Sequence, residues 1–395
     1  MRRLRAKLAG ALVAVTLIAF VFSSFVPASF AQDTSLSYKL VNEADGTFSY
    51  TLNVIVPQGL NDYYRGLSHR SAADPDFPKF VTPYAVKPIA DCLRQIYLDD
   101  EDFANGVLTL IHQIPYEETL PQYYPVETLL RNRGDCDMFS LLAAAIMKAG
   151  GLDVTLVHYT TEEHMNIGVH LNTALKDARL EVYSFENGGV TYYVAECTSS
   201  NWMEGWRVGE CPDDLKNAPM QVVTLESSEQ MSPGQVSASF KKLDATTMQM
   251  NVSPFVTMEG GTVTMNGRIS PAVPNQNVTL YYSVKGESWR VLDSAVTQPD
   301  GQFVYAWKSN AAGQVNLRAS WTGNDQYAGT TSETQSTVIL PFYLLALIAA
   351  AIVAVAVCIT VFLVTRSRRK QLEPPNTETA QTPETPAPPN PNATV

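Results

Sequence analysis

A 25-residue stretch from Leu340 to Val364 contains no charged side chain and is almost wholly apolar. At about 1.5 Å of rise per residue, a helix of that length exceeds the roughly 30 Å hydrocarbon core of a bilayer. Arg366, Arg368, Arg369 and Lys370 follow at once, a basic cluster of the kind retained on the cytoplasmic side. The pattern predicts a single C-terminal transmembrane helix over 339–365 and a cytoplasmic tail over 366–395. The tail is rich in Pro, Thr, Asn and Glu, and is expected to be disordered because it has almost nothing to bury. At the other end, Arg2, Arg3, Arg5 and Lys7 precede an apolar run from Leu8 to Val26, and Ser29-Phe30-Ala31 offers a small-residue cleavage site. Residues 1–31 therefore read as a signal peptide; the length of the run leaves an uncleaved anchor as the alternative. Together the two ends predict a single-pass type I protein of the cell membrane, with its N-terminal domains outside.

Charge narrows the partners. The chain carries a net −11, and setting aside the four N-terminal basic residues and the net +1 of residues 366–395 leaves about −16 between them. An acidic exposed region repels phosphate backbones, so no nucleic acid is expected as a partner. Of five cysteines, Cys358 falls in the apolar stretch, while Cys92, Cys136, Cys197 and Cys211 lie outside it. With Cys136 kept free, one pair can form among the other three. Cys197–Cys211 closes the shortest loop, and Cys92 is able to join either.

Between the two ends the texture changes once. Alternating residues in 34–57 predict strands, and helical spacing predicts helices over Gly59–Arg70, Pro88–Tyr97 and Glu101–Gln113. Pro115 and Pro121 mark a loop running through Tyr124-Pro125-Val126-Glu127-Thr128-Leu129. Asp135 suits the cap of a helix whose stripe is Phe139, Leu142, Ala143, Ile146 and Met147, and Gly150-Gly151 suits its end. Strands are expected over Val154–Tyr159, His164–Leu171, Leu180–Phe185 and Val190–Glu196, with Asn187-Gly188 as a hairpin turn. A helix followed by antiparallel strands is an α+β plan. Residues 226–245 read as a linker with Pro233-Gly234, and 246–338 as about seven short strands, the pattern of a β-sandwich.

The chemistry concentrates in Arg133-Gly134-Asp135-Cys136-Asp137. A thiol at a helix N-terminus sits in partial positive charge, which favours thiolate. His164 follows on a strand whose alternation puts His164, Asn166 and His170 on one face. Glu196 ends a later strand on the face of Val190, Tyr192 and Val194. A histidine can take up the thiol proton near neutral pH, and a carboxylate can set its tautomer. His158 and His170 lie six residues either side of His164, which fits no zinc pattern. No metal site and no cofactor are expected. His69 and His112 have no partner context, and Tyr124, Trp202 and Trp206 are aromatic residues suited either to a cleft or to the core.

These motifs, with His164-Met165-Asn166-Ile167-Gly168-Val169 and Tyr192-Tyr193-Val194-Ala195-Glu196-Cys197-Thr198, resemble the Cys/His/Asp core of the transglutaminase-like superfamily. The resemblance is closest to exported archaeal and bacterial members, through Ile114-Pro115-Tyr116 and Tyr124-Pro125-Val126-Glu127-Thr128-Leu129, and it covers about residues 95–210. It implies a papain-like domain over 32–225 with Cys136 as nucleophile, His164 as base and Glu196 as orienting carboxylate. Two departures stand out: Glu196 replaces the usual Asp, and Cys197-Thr198 replaces Pro-Thr. By analogy with the papain-like glutamine, Gln113 is the candidate oxyanion donor.

Residues Val278–Ser283, Asp300–Phe303 and Leu317–Asn324 resemble prokaryotic cell-surface Ig-like domains. Asn251-Val252-Ser253 and Asn277-Val278-Thr279 are candidate glycosylation sites there. The expected activity is thiol-dependent acyl transfer or amide hydrolysis on a protein or peptide at the cell surface. The alternatives are a catalytically inactive binding scaffold of the same fold and a surface adhesin led by the sandwich.

Overall fold

In the computed structural model the described residues are 34–41, 49–71, 74–118, 120–229, 231–285 and 287–371. The leader read over 1–31, and the tail beyond residue 371, lie outside them. The fold is mixed α/β, with most of its strands in antiparallel sheets.

Strands β1 (Thr34–Val41) and β2 (Ser49–Val56) form a hairpin in register from Thr34↔Val56 to Val41↔Ser49. Their alternation buries Tyr38, Leu40, Leu52, Val54 and Val56 against the helices that follow. Helix α1 (Gln58–Arg65), a 3-10 turn over Asp74–Phe80, and helices α2 (Pro83–Ile96) and α3 (Asp100–Ile111) come next. Helix α2 starts at Pro83, earlier than its spacing suggests, because a proline at the first turn gives up no intrahelical bond. Asp99 caps α3, accepting from the N–H of Glu101 and Asp102. The segment expected to be a loop contains α4 (Pro125–Arg131); Glu127 reaches back to the Tyr124 N–H at 3.1 Å and closes its first turn.

Helix α5 (Cys136–Ala149) is the central element. Its sequence shows one apolar stripe, yet Ser140, Leu141, Ala144 and Ala145, outside that stripe, are also fully buried. Helices α2, α3 and α4 surround one side, and strands β3 (Asp153–Tyr159) and β4 (His164–His170) cover the other. Strands β5 (Ser184–Asn187), β6 (Val190–Ala195) and β7 (Gln221–Thr224) complete an antiparallel sheet in the order β5-β6-β4-β3-β7. One face of this sheet gives Met165, Ile167, Val169, Ala195 and Cys197 to the main core. The opposite face gives Val157, Tyr159, Tyr192 and Val194 to a separate cluster, which Cys211 joins from the stretch between β6 and β7.

The stretch over 226–245 is not a free linker. Within it β8 (Ser237–Ser239) adds to β2 as a third strand, and Val236 is buried in the main core. Beyond it, β9 (Thr247–Ser253), β10 (Val256–Met258), β11 (Thr262–Ser270), β12 (Asn277–Val284), β13 (Arg290–Val296), β14 (Gln302–Lys308), β15 (Gly313–Gly323), β16 (Ala328–Thr331) and β17 (Gln335–Leu340) make two sheets. Their inner faces meet through Met265, Leu280, Phe303, Leu317 and Trp321. The stretch Thr330–Ile339, whose texture predicts one strand, holds parts of two, β16 and β17, broken at Ser332–Thr334.

The two parts interlock. The guanidinium of Arg318 donates to the Gly59 carbonyl at 2.5 Å, the Tyr84 and Tyr281 hydroxyls share a 2.6 Å hydrogen bond, and the Gly329 N–H donates to Ser237 Oγ at 2.6 Å. A Cβ on Gly59 would lie 2.7 Å from the Thr331 carbonyl oxygen, so only glycine admits this approach.

Residues from Leu340 onward form a second compact unit. It contains α6 (Phe342–Gln371), a 30-residue helix that runs on through the basic cluster. Among the described residues no helix is long and apolar enough to cross a membrane; some side chains of α6 lie outside the described set.

The sheet has one tight point near the functional end. A Cβ on Gly168 would stand 2.5 Å from the Phe185 ring and 2.8 Å from Thr155 Oγ1. Gly168→Val should destabilise the protein by about 1–3 kcal/mol, as forced overpacking does. Urea unfolding of the variant against the parent checks this, and unchanged stability would show that the strand can shift to make room.

Candidate active site

Cys136 is the first residue of α5, whose cap is the Asp135 carboxylate accepting from Met138 N–H at 3.3 Å. Placement there gives its sulfur the positive end of a 14-residue helix. The cap is held by a short bridge: Gly134 N–H donates to the Pro115 carbonyl and Glu117 N–H donates to the Gly134 carbonyl, while Arg133 pairs with Glu117 at 2.9 Å. This brings Tyr116, 54% exposed, to the rim of the site, where burial and then the charges of Cys136, Asp135, Glu118 and Asp137 raise its pKa.

His164 opens β4. The residue before it, Glu163, takes a left-handed backbone with φ 51°, a conformation that non-glycine residues adopt at a cost. His164 Nε2 meets Glu196 Oε2 at 2.9 Å, and the ring lies close enough to the Cys136 thiol for the thiol to act on its ionisation. With Nε2 committed to the carboxylate, Nδ1 is the nitrogen left for sulfur. The sulfur further approaches Asp137 Oδ1 at 3.7 Å and the Glu163 carbonyl at 4.0 Å.

Glu196 follows the last residue of β6 and is 1% exposed. A buried carboxylate needs its oxygens satisfied. His164 serves Oε2, and Thr198 serves Oε1 twice, through its N–H at 2.8 Å and its hydroxyl at 2.6 Å. The Glu196 carbonyl is engaged by His112 Nε2 at 3.0 Å, and a Cβ on Gly205 would strike that imidazole at 2.2 Å. Thr198 and His112 are thus supporting residues not singled out from the sequence. The signal for Thr198 is local, since a hydroxyl residue two positions after a polar side chain is suited to such a turn. For His112 there is none.

The charges reinforce one another. Burial alone pulls the His164 pKa down, but hydrogen bonds to Cys136 and Glu196 and their charges outweigh it and raise it to about 10. Burial pushes the Glu196 carboxyl up, and the His164 hydrogen bond and charge, with both Thr198 donors, bring it below the ordinary value. Asp137 is raised, by burial first and by Asp135 next.

The structure brings Cys136, His164 and Glu196 together and places other candidates elsewhere. Gln113 is not an oxyanion donor: its Oε1 accepts from Lys39 N–H at 2.7 Å, and its Nε2 donates to the carbonyls of Lys39 and Thr109, both at 2.8 Å. The amide is consumed in tying α3 to β1. The pair Cys197–Cys211 forms no disulfide, because Cys197 lies in the main core and Cys211 in the cluster on the opposite face of the sheet. Cys92 and Cys136 are also free thiols. His158 packs edge-on against Phe77, and His170 bonds the Thr191 carbonyl at 2.9 Å. Tyr124 is core, set between Tyr64 and Phe80, whereas Trp202 and Trp206 are half-buried. Among the described residues no cluster of three or more His, Cys, Asp or Glu side chains is able to hold a metal ion.

No protein-family model matches the chain. No curated protein matches it either.

The pair has a signature in stability against pH. Because the folded His164 pKa lies above its unfolded value, its contribution is complete below about pH 6.5 and is lost as pH rises through about 10. Glu196 is depressed, so its contribution is present above its unfolded value and is lost as pH falls through the folded one. The stability advantage of the parent over His164→Ala should therefore be greatest between about pH 5 and 6.5 and shrink steadily toward pH 10. Denaturant unfolding of both proteins across that range checks it, and a pH-independent difference would exclude this coupling.

Proposed function

We propose that the chain is a membrane-anchored cell-surface enzyme of transglutaminase-like type, using Cys136, His164 and Glu196 for thiol-dependent acyl transfer or amide hydrolysis. The observation that carries this reading is the His164 imidazole, bonded to the buried Glu196 carboxylate at 2.9 Å and near enough to the Cys136 thiol at the helix start to be coupled to it. A helix followed by an antiparallel sheet, with the thiol at the helix start, supports the papain-like assignment. The two-sheet module after residue 246 is read as Ig-like, holding the head away from the bilayer. The apolar 339–365 segment is read as the single span, with both folded parts outside the cell.

In this reading His164 takes the Cys136 proton, and the sulfur attacks a carboxamide or peptide carbonyl. The tetrahedral oxyanion is received by the Cys136 N–H at the helix start. Collapse expels ammonia or an amine, protonated by His164, and leaves a thioester. An amine or water, deprotonated by the same imidazole, then releases the acyl group and restores the thiol. Glu196 holds the ring in the required tautomer and stabilises its charged form. A second reading, a binding scaffold of the same fold, is favoured by one observation: the Cys136 side chain is hemmed by Asp137 and Glu163, and the residue is only 8% exposed.

A thiol-directed acyl probe separates the two. Labelling at Cys136 should vanish in Cys136→Ala, fall about 10²–10⁴-fold in His164→Ala, and fall less in Glu196→Gln, where the thiolate survives but the ring is less well held. An intact parent protein that no acyl probe labels would leave the scaffold reading standing. Topology has its own check. Protease added outside intact cells should remove both folded parts and spare an epitope at Thr394; loss of that epitope would reverse the orientation.

A further inference from the structure

Helix α1, the stretch after β7 and the sandwich line a cavity of about 660 Å³ that shares no residue with the Cys136 site. Asp62 and Tyr63 come from α1, Glu229 and Met231 from the stretch over 226–245, and Glu287 and Trp289 from the segment between β12 and β13. Three of these side chains are acids, and no lysine, arginine or histidine is among the lining residues. The Tyr63 and Trp289 rings meet T-shaped, with centroids 6.1 Å apart. Aromatic walls with a few convergent polar groups, in a volume of this size, are the usual build of a small-ligand site.

Glu229 is only partly satisfied there. The Tyr64 hydroxyl donates to its Oε2 at 2.6 Å and the Tyr63 hydroxyl to its Oε1 at 3.4 Å. A carboxylate has about four acceptor positions, so two are left open. No cation is among the groups that act on its ionisation, and burial, the largest effect, pushes its pKa up to about 7. A carboxylate taken from water without a balancing charge is costly, and a cationic ligand would supply both the charge and the missing donors. The nearby arginines do not fill this role. Arg65 reaches Asp62 at 3.9 Å and Arg290 reaches Glu287 at 3.5 Å, exposed pairs of little strength, and Arg318 stands over the Tyr63 ring at 5.6 Å without lining the cavity. Among the described residues no three His, Cys, Asp or Glu side chains converge as metal ligands, so the acids are too dispersed for a metal ion. An organic cation suits them better, because its nitrogen can donate to Glu229 while its charge and carbon chain lie against Trp289, the ring type that holds cations best.

We infer that this cavity binds a primary alkylammonium group, its N–H donors on Glu229, its charge against Trp289, and Asp62 and Glu287 drawing it in from the rim. The site is independent of the triad reading, and neither stands or falls with the other.

The test is binding of n-butylammonium to the full-length chain in detergent micelles, followed by ligand-observed NMR titration. Saturable binding with a Kd of about 1 mM is expected for so small a ligand. Glu229→Gln, which keeps the shape and removes the charge, should weaken it about tenfold or more, and Glu287→Gln at the exposed rim about two- to threefold. The ammonium favours the ionised carboxyl, so below about pH 7 a proton must leave Glu229 before the ligand binds. The parent's Kd should therefore rise about tenfold from pH 8 to pH 6, where the amine itself stays protonated, and Glu229→Gln should show no such rise. Tyr63, Tyr64, Asp62, Glu287 and Arg318, with Tyr124 packed on Tyr64 and His69 on Tyr124, are all retained in that variant, so the pH limb is assigned to Glu229. Cys136→Ala should bind as the parent does. N-acetyl-lysine amide presents the same group as a peptide would. Binding at least as tight as that of butylammonium supports the proposal with a peptide lysine as the source, and weaker binding supports it with a free amine.

Absence of saturable binding overturns the proposal. So does equal binding of butyrate, which has the wrong charge, or of tetramethylammonium, which has no N–H donor. A Glu229→Gln protein that melts like the parent and binds as tightly overturns it as well; if that variant does not fold, a flat pH profile in the parent has the same force. Loss of binding in Cys136→Ala would place the amine at the thiol instead, overturning this site and leaving the triad reading intact.

Discussion

Helix α5 is enclosed on nearly every face, and the placement of every functional group follows from that enclosure. It descends about 21 Å over 14 residues, and β3 returns about 23 Å over 7. The chain therefore comes back to the level of Cys136 just as β4 begins with His164. Strand β6 runs antiparallel to β4 and ends at the same level, which is where Glu196 emerges. Ser140 Oγ donates to the Met165 carbonyl at 2.9 Å and locks helix to strand one turn below the sulfur. Matched element lengths thus gather a thiol, an imidazole and a carboxylate that are far apart in the chain.

Burial then decides how these groups behave. Glu196 is sealed from water, yet stays ionised because each oxygen has a donor and because His164 supplies the balancing charge. The glutamate side chain is long enough for Thr198 to hold one oxygen while the other meets the ring. The two acids flanking Cys136 work the other way. Asp135 is spent on the helix cap, and burial raises the Asp137 carboxyl above its ordinary value.

The sandwich is built into the head rather than hung from it. Strand β8, drawn from the segment between them, completes the first sheet, and the fully buried Arg318 sends its guanidinium into the start of α1. Removing water from an arginine is costly, and two of its nitrogens, Nε and Nη1, find no partner. A guanidinium held over the Tyr63 ring at 5.6 Å recovers part of that cost.

Local chemistry in the sequence was enough to place much of this. A capping Asp before an apolar run marked the start of α5, and alternation marked β4 and β6, because such signals depend only on neighbours in the chain. The common face of His164 and Asn166 was legible for the same reason. What the chain alone did not show depends on what packs where. A helix buried on all sides presents the same apolar stripe as a half-buried one, and a proline-marked segment hid α4, whose capping box needs Glu127 to fold back. Gln113 was drawn from an analogy, and only the fold shows its amide spent on β1. The short loop between Cys197 and Cys211 favoured a bond on entropic grounds, but the loop carries Cys197 into the main core and Cys211 into the cluster on the other face of the sheet. The sequence by itself determined which residues were able to do chemistry and at which element ends they lie. Only the tertiary structure decided which of them meet, because the meeting is set by element lengths and layer order, which no local pattern encodes.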